Sequence, residues 1–217
     1  MGFEDPKALG DVFAIHGSDR LQEEIGKVRE YQGLPVSADK YPALGDAIAR
    51  GLLAAPTVTR PDHREQSFAF LPYTLDRELL TVKKSVFEKA LAVAACVRCG
   101  QNFGGATSIV APLLILDRLM DSGANYTLGA HSSAKRQYQP LFRLQVVDFV
   151  PSGDWVRPRL IPTPDNISAV RIARDLIATG EPLTDRLGDD ADTRLLLVNN
   201  ATYLGPMHTV QRSRRRK

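Results

Sequence analysis

Leu75, Leu79, Val82, Val86, Ala90, Val93 and Val97 recur at steps of three and four. At that spacing apolar side chains share one face of an α-helix, because a turn takes 3.6 residues. The run predicts a long helix, with Thr74 as its N-cap and Gly100 as its stop. Ser85 and Glu88 also have capping-box spacing, so a fresh helix starting at 85 is the alternative. Either way, 85–99 is an amphipathic helix. Its apolar face must be covered, which constrains the rest of the chain to elements that pack on it: an α+β, mostly helical fold.

The flanking segments supply those elements. The stretch 11–15 reads as a short strand, closed by the turn-like His16-Gly17-Ser18-Asp19. A helix is predicted over 21–31 with Ser18 or Asp19 as its cap, and another over 41–53 with Pro42 in its first turn. The stretch 56–66 reads as a polar connector and 67–71 as a strand. Beyond the long helix, 101–106 is a glycine-rich loop. Thr107 or Ser108 caps a helix to about Ser122, and Ser132 or Ser133 caps a third one through Leu141. Two extended runs, 145–150 and 155–161, flank Pro151-Ser152-Gly153-Asp154 and predict a β-hairpin. Thr163-Pro164 opens a further helix that stops at Gly180. A small hairpin is expected at 195–204, around Asn199-Asn200. No internal sequence repeat appears.

The 217 residues, 43% apolar and 24% charged, suit one folded core, or one core with a small second unit. No run of about 18 apolar residues occurs, so a membrane span is not expected. The chain's start lacks a charged region followed by an apolar run. With Cys96 and Cys99 the only cysteines, a reducing cytoplasm is the expected setting. The net charge of +3 is mild but segregated. Residues 122–147 contain no Asp or Glu while Lys135, Arg136 and Arg143 lie there. Five basic residues crowd 212–217, and Asp189, Asp190 and Asp192 gather elsewhere. Segregation of this kind steers an anionic partner.

The order helix, helix, helix, hairpin, helix over 85–179 resembles a winged helix-turn-helix domain. The resemblance implies a third helix (131–143) in the DNA major groove and a hairpin wing (145–161) at the backbone. It divides the chain into an N-terminal helical partner region (1–73), a winged helix-like domain (74–180) and a C-terminal segment with a basic tail (181–217). Duplex phosphates attract Lys and Arg, and hydroxyl and amide groups donate to phosphates or base edges. The expected nucleic-acid contacts are Ser132, Ser133, Lys135, Arg136, Gln137 and Arg143 on the third helix, Arg157 and Arg159 on one face of the wing, and Arg212, Arg214, Arg215 and Arg216 in the tail. Trp155 is expected on the core or a dimer face. Pro140 lies inside the third helix and argues for a break there. The reading is a DNA-binding regulatory protein or a nucleoprotein subunit, as a homodimer or larger assembly, with no cofactor.

Two rivals come from other classes. One is a protein-assembly subunit that uses the exposed face of the long helix. The other is a nucleotide-binding enzyme centred on 12–19, where Val-Phe-Ala-Ile-His-Gly-Ser-Asp resembles the opening of nucleotide-binding or TIR-like α/β domains. Other signals are weaker. Cys96-Val97-Arg98-Cys99 has no second ligand pair, so no metal is expected, and at a helix end its thiolates are disfavoured. The glycine-rich 100–105 lacks the residues of a phosphate loop. Histidines at 16, 63, 131 and 208 are scattered, and Asp62 and Glu65 beside His63 read as surface loop.

Overall fold

In a computed structural model of the chain, which describes residues 6–53, 55–71 and 77–179, the first part folds as α1 (Pro6–His16), α2 (Ser18–Glu30), β1 (Leu34–Val36), α3 (Pro42–Ala49), β2 (Thr57–Thr59) and β3 (Glu65–Ala69). The predicted strand at 11–15 is helix instead. Ala8 and Val12, four apart, are buried, whereas Phe13 and Ile15 face solvent, so the burial follows a helical rather than an alternating period. This removes the strand on which the nucleotide-site resemblance depended. Gly17 takes φ 81° between α1 and α2, a conformation that favours glycine. It is therefore the N-cap, and Ser18 and Asp19 fall within the first turn of α2. The first turn of α3 is served by a distant side chain: buried Glu24 of α2 accepts from the Leu44 amide at 2.9 Å. A carboxylate near a helix N-terminus also complements its dipole.

The polar connector at 56–66 proves to hold β2 and the start of β3. Thr57, Val58 and Thr59 are β-branched and suit a pleated surface, and Val58 is buried. β3 pairs antiparallel with both β1 (Leu34↔Ala69) and β2 (Thr57↔Ser67), giving the order β1–β3–β2. The N-terminal region is thus helical with a three-stranded sheet, not helical alone.

The periodic run forms α4 (Arg77–Phe103), unbroken at Ser85; Thr74 lies outside the described residues. From Ala92 to Gly100 every residue is buried, the charged Arg98 included, so the exposed face of α4 among the described residues lies nearer its start, at Lys84, Ser85 and Glu88. Gly100 does not stop the helix but lies inside it. An added Cβ would fall 2.6 Å from Ile109 Cδ1, so glycine lets the 107–109 segment close on α4. The helix ends where Gly104 N and Ile109 N both bond the Gly100 carbonyl at 3.1 Å, turning the chain back.

Next come α5 (Pro112–Leu119), α6 (Ala134–Gln137), α7 (Gln139–Arg143), β4 (Val147–Ser152), β5 (Trp155–Leu160) and α8 (Pro164–Thr179). α5 begins at Pro112, later than the Thr107 or Ser108 cap predicts, because Gly105–Thr107 forms a separate 3-10 turn. The third helix is broken at Tyr138, and Pro140 sits in the first turn of α7, where its missing N–H costs no bond. The predicted hairpin is present, pairing Val147↔Leu160 through Ser152↔Trp155, but Pro151 and Ser152, expected in the turn, are paired residues of β4, and the turn is Gly153-Asp154 alone. α8 runs as predicted, with Thr163 Oγ1 accepting from Asn166 N at 3.2 Å. It packs on α4 through Ala169, Ile172 and Leu176 against Val86, Phe87 and Ala90.

The segment 126–131 lies along the other edge of β5. Leu128 N donates to Pro158 O and Leu160 N to Tyr126 O, both at 2.9 Å, with further bridges Thr127↔Arg159 and His131↔Val156. The order 126–131, β5, β4 repeats the order β1–β3–β2: the first extended segment pairs with the third, and the third with the second. Each set has helical turns between its first and second members. One core joins them, with Val58, Phe68 and Phe70 of the first set, Val93 to Val97 of α4, and Leu141, Val147 and Leu160 of the second. Arg98 fastens the junction by donating from Nε to Gln32 O at 2.9 Å and lying 3.8 Å over the Tyr31 ring. No helix among the described residues is long and apolar enough to cross a membrane. The predicted hairpin at 195–204 lies outside the described residues.

Candidate nucleic-acid interface

A cleft of about 410 Å³ opens where three parts of the chain meet. Thr59 lines it from the end of β2, His131, Ser132, Lys135, Arg136 and Gln139 from α6 and its flanks, and Asp154, Trp155 and Val156 from the β4–β5 turn. The backbone bridge His131↔Val156 holds two of these walls together. The β2–β3 loop holds the third. There Arg136 donates to Pro61 O at 2.9 Å and contacts His63 Nε2 at 2.5 Å, with His63 at φ 67°.

The predicted contacts divide by burial. Ser132 and Lys135 are exposed, Arg136 is half-buried, but Ser133 and Gln137 are buried and face the core. Gln137 is 1% exposed and donates to Cys96 O inside α4 at 3.0 Å. Ser133 Oγ is shared between His131 Nδ1 and Thr107 Oγ1, each at 3.0 Å. A one-turn helix pressed on α4 must bury part of its circumference, and these two residues fall on that part. The expectation that they reach phosphates or bases is corrected accordingly. Arg136 faces the cleft, though its guanidinium is partly used in tying down the β2–β3 loop.

On the hairpin the pleat decides. Val156, Pro158 and Leu160 turn inward; Trp155, Arg157 and Arg159 turn outward. Trp155 is 52% exposed at the cleft, so of its two expected places, the core or a dimer face, the core is the one the structure removes. The sequence contained that signal, since 155 and 157 differ by two and share a face. Arg159 is held by its cross-strand neighbour Asp148 at 3.3 Å, which discounts its charge, whereas Arg157 and Arg143 are exposed with no acidic partner among the described residues. Arg212, Arg214, Arg215 and Arg216 lie outside the described residues.

Sequence reasoning missed the β2–β3 loop, which brings His63 beside Arg136 and bears exposed Arg64, without an ion pair among the described residues. Reading 56–66 as a connector hid them; the β-branched triplet at 57–59 was the signal. Arg60 is less available, because it pairs with Asp62 at 2.7 Å and lies 4.1 Å over the Phe103 ring.

Burial sets the titration of the groups behind the cleft. It lowers the His131 imidazole below its ordinary 6.5, favouring the neutral ring. It pushes the Cys99 thiol up to about 11 and the Cys96 thiol well above the usual range. Both cysteines are free and buried. α4 continues to Phe103, so burial rather than a helix end disfavours their thiolates. Among the described residues no group of three or more His, Cys, Asp or Glu side chains is placed to hold a metal ion.

Comparison with protein-family models, with characterised proteins and with solved structures finds no match to this chain.

Proposed function

We propose that the chain binds duplex nucleic acid, DNA in the first instance, through the surface around this cleft, in the manner of a winged helix-turn-helix protein. The observation that carries the reading is the set of exposed cations with no acidic partner among the described residues, Lys135, Arg143 and Arg157, borne on α6, α7 and β5, of which Lys135 lines a cleft whose described lining has one carboxylate, Asp154. The connectivity supports it: helices, an extended segment, two short helices and a hairpin whose second strand pairs with that segment. The two short helices replace one long reading helix, so phosphate contact dominates over readout of base edges. A regulatory or nucleoprotein role in a reducing cytoplasm fits two buried free thiols.

The test is a titration of a fluorescent duplex at several salt concentrations. Three phosphate contacts give a log–log slope of about −3, steeper if the tail arginines add to it. Replacing Lys135, Arg143 and Arg157 by alanine together flattens the slope and weakens all duplexes alike. Affinity that stays flat with salt, or a slope the triple variant leaves intact, refutes the proposal.

A second reading, a homodimer or assembly contact, is favoured by one observation. Val110 is 91% exposed and Leu114 66% exposed at the start of α5, a cost that a covering partner would relieve.

A further inference from the structure

The charge pattern accounts for Lys135, Arg143 and Arg157 but not for Trp155. The hairpin's core face is filled by Val156, Pro158 and Leu160, so the fold has no packing use for an indole on the opposite face. Nor does the cleft suit a length of double helix. Its volume of about 410 Å³ lies within the roughly 300–1,000 Å³ of small-molecule sites, which admits a base with its phosphate but not a base pair with two backbones.

We infer that the cleft receives one unpaired nucleotide of a bound strand, its base stacked on Trp155 and its phosphate held by Lys135 and Arg136. The inference rests on the nucleic-acid reading and names the ligand of its central site. Each wall supplies a part. Trp155 offers an exposed aromatic face, on which any base can stack. Lys135 carries an ammonium with no acidic partner among the described residues, and Arg136 a guanidinium oriented in advance by Pro61 O and His63. Anchoring Arg136 before binding reduces the ordering cost of a phosphate contact. Ser132 and Gln139 add a hydroxyl and an amide on the same wall. Asp154 stands on the opposite wall beside Trp155. A carboxylate there repels phosphate and accepts from an exocyclic amino group, so it sets the base end of the cleft and favours cytosine or adenine over thymine.

Trp155 is the only tryptophan in the chain, so its emission reports on this cleft alone. The experiment titrates the full chain with a flush-ended duplex, the same duplex carrying a three-nucleotide cytosine overhang, that overhang made abasic, and free cytidine monophosphate. DNA binding is followed by anisotropy of a dye on the far end, and the cleft by tryptophan emission. Both intact duplexes should bind with steep salt dependence. The cytosine overhang should bind about ten-fold tighter than the flush end and quench Trp155, since one stacked base contributes roughly that factor. The abasic overhang should do neither. Trp155→Leu should bring the overhang-to-flush ratio to about one, while Trp155→Phe, which keeps a stacking face, should retain most of it. If overhang and flush duplex bind equally and emission is unchanged, the nucleotide site is wrong while the duplex reading stands. If no DNA binds, both fall. If free nucleotide binds as tightly as the overhang, a strand-borne ligand is refuted.

Discussion

Gln137 separates the sequence-based interface from the folded one, because it lies on the basic third helix yet points into the core. Its Nε2 donates to Cys96 O at 3.0 Å, while its buried Oε1 has no hydrogen-bond partner among the described residues. Gln137→Met keeps the length of the side chain and removes both polar ends. The lost bond costs about 1 kcal/mol, and relieving an unpaired buried oxygen returns about 1–3 kcal/mol. The Cys96 carbonyl keeps its place in the α4 ladder, so it is not stranded. Gln137→Met should therefore lie within about 1 kcal/mol of the native protein or be slightly more stable. Gln137→Ala instead leaves a void beside Cys96, Gly100 and Ile109, and truncations of this size cost about 2–5 kcal/mol. After the same polar terms, a net loss of about 2–3 kcal/mol is expected. Urea unfolding at constant m-value measures both, and duplex titration of the folded variants should match the native chain. A Gln137→Met variant destabilised by more than about 3 kcal/mol would mean that Oε1 is bonded after all. A folded variant with ten-fold weaker duplex binding would turn the amide outward and return it to the interface.

Two further predictions follow from burial. Ellman's reagent should titrate neither thiol in the native protein and both Cys96 and Cys99 in denaturant; a thiol that reacts at the native rate of a free cysteine would show that α4 is not sealed at that point. Burial lowers the folded-state pKa of His131 below the unfolded value of 6.5, so between the two the unfolded chain binds more protons. The stabilisation is complete above about 6.5 and is lost as pH falls through it toward the folded value. The urea midpoint of the native chain should therefore drop more between pH 7.5 and 5.5 than that of His131→Gln; equal drops would show that the imidazole is solvated in the folded state.

How much was legible depended on whether a local rule decided the matter. Thr163-Pro164 is a helix start in any context, and α8 begins there. The Gly153-Asp154 half of the expected turn marks the hairpin, and the three-and-four spacing marks α4. The exposed cations were partly legible for the same reason: the acid-free stretch denies Lys135 and Arg143 a partner near in sequence, and parity puts Arg157 outward. Parity also puts Trp155 outward, so the core half of that expectation could have been set aside from the sequence. Ser133 and Gln137 are different. Which side of a four-residue helix is buried depends on where α4 and Ile109 lie, and no window of local sequence contains that. The 11–15 segment failed similarly, since its apolar run satisfies a strand until α3 is known to cover only one helical side of it.

The repeated strand order explains why the cleft escaped a linear reading. In the first set, α3 occupies the place between first and second strands that α6 and α7 occupy in the second. Yet Pro42–Ala49 contains no basic residue and includes Asp46, whereas the second set has Lys135, Arg136 and Arg143. Two like arrangements therefore do unlike work: one bears the cations, and the other lends its β2–β3 loop as a wall against them. Arg136 is where they join, because its bond to Pro61 O crosses from one set to the other. A cleft made this way needs both sets docked on α4. The residues that form it are separated by more than seventy positions, so their proximity is a property of the packing around Phe68, Phe70 and Val93 rather than of any motif.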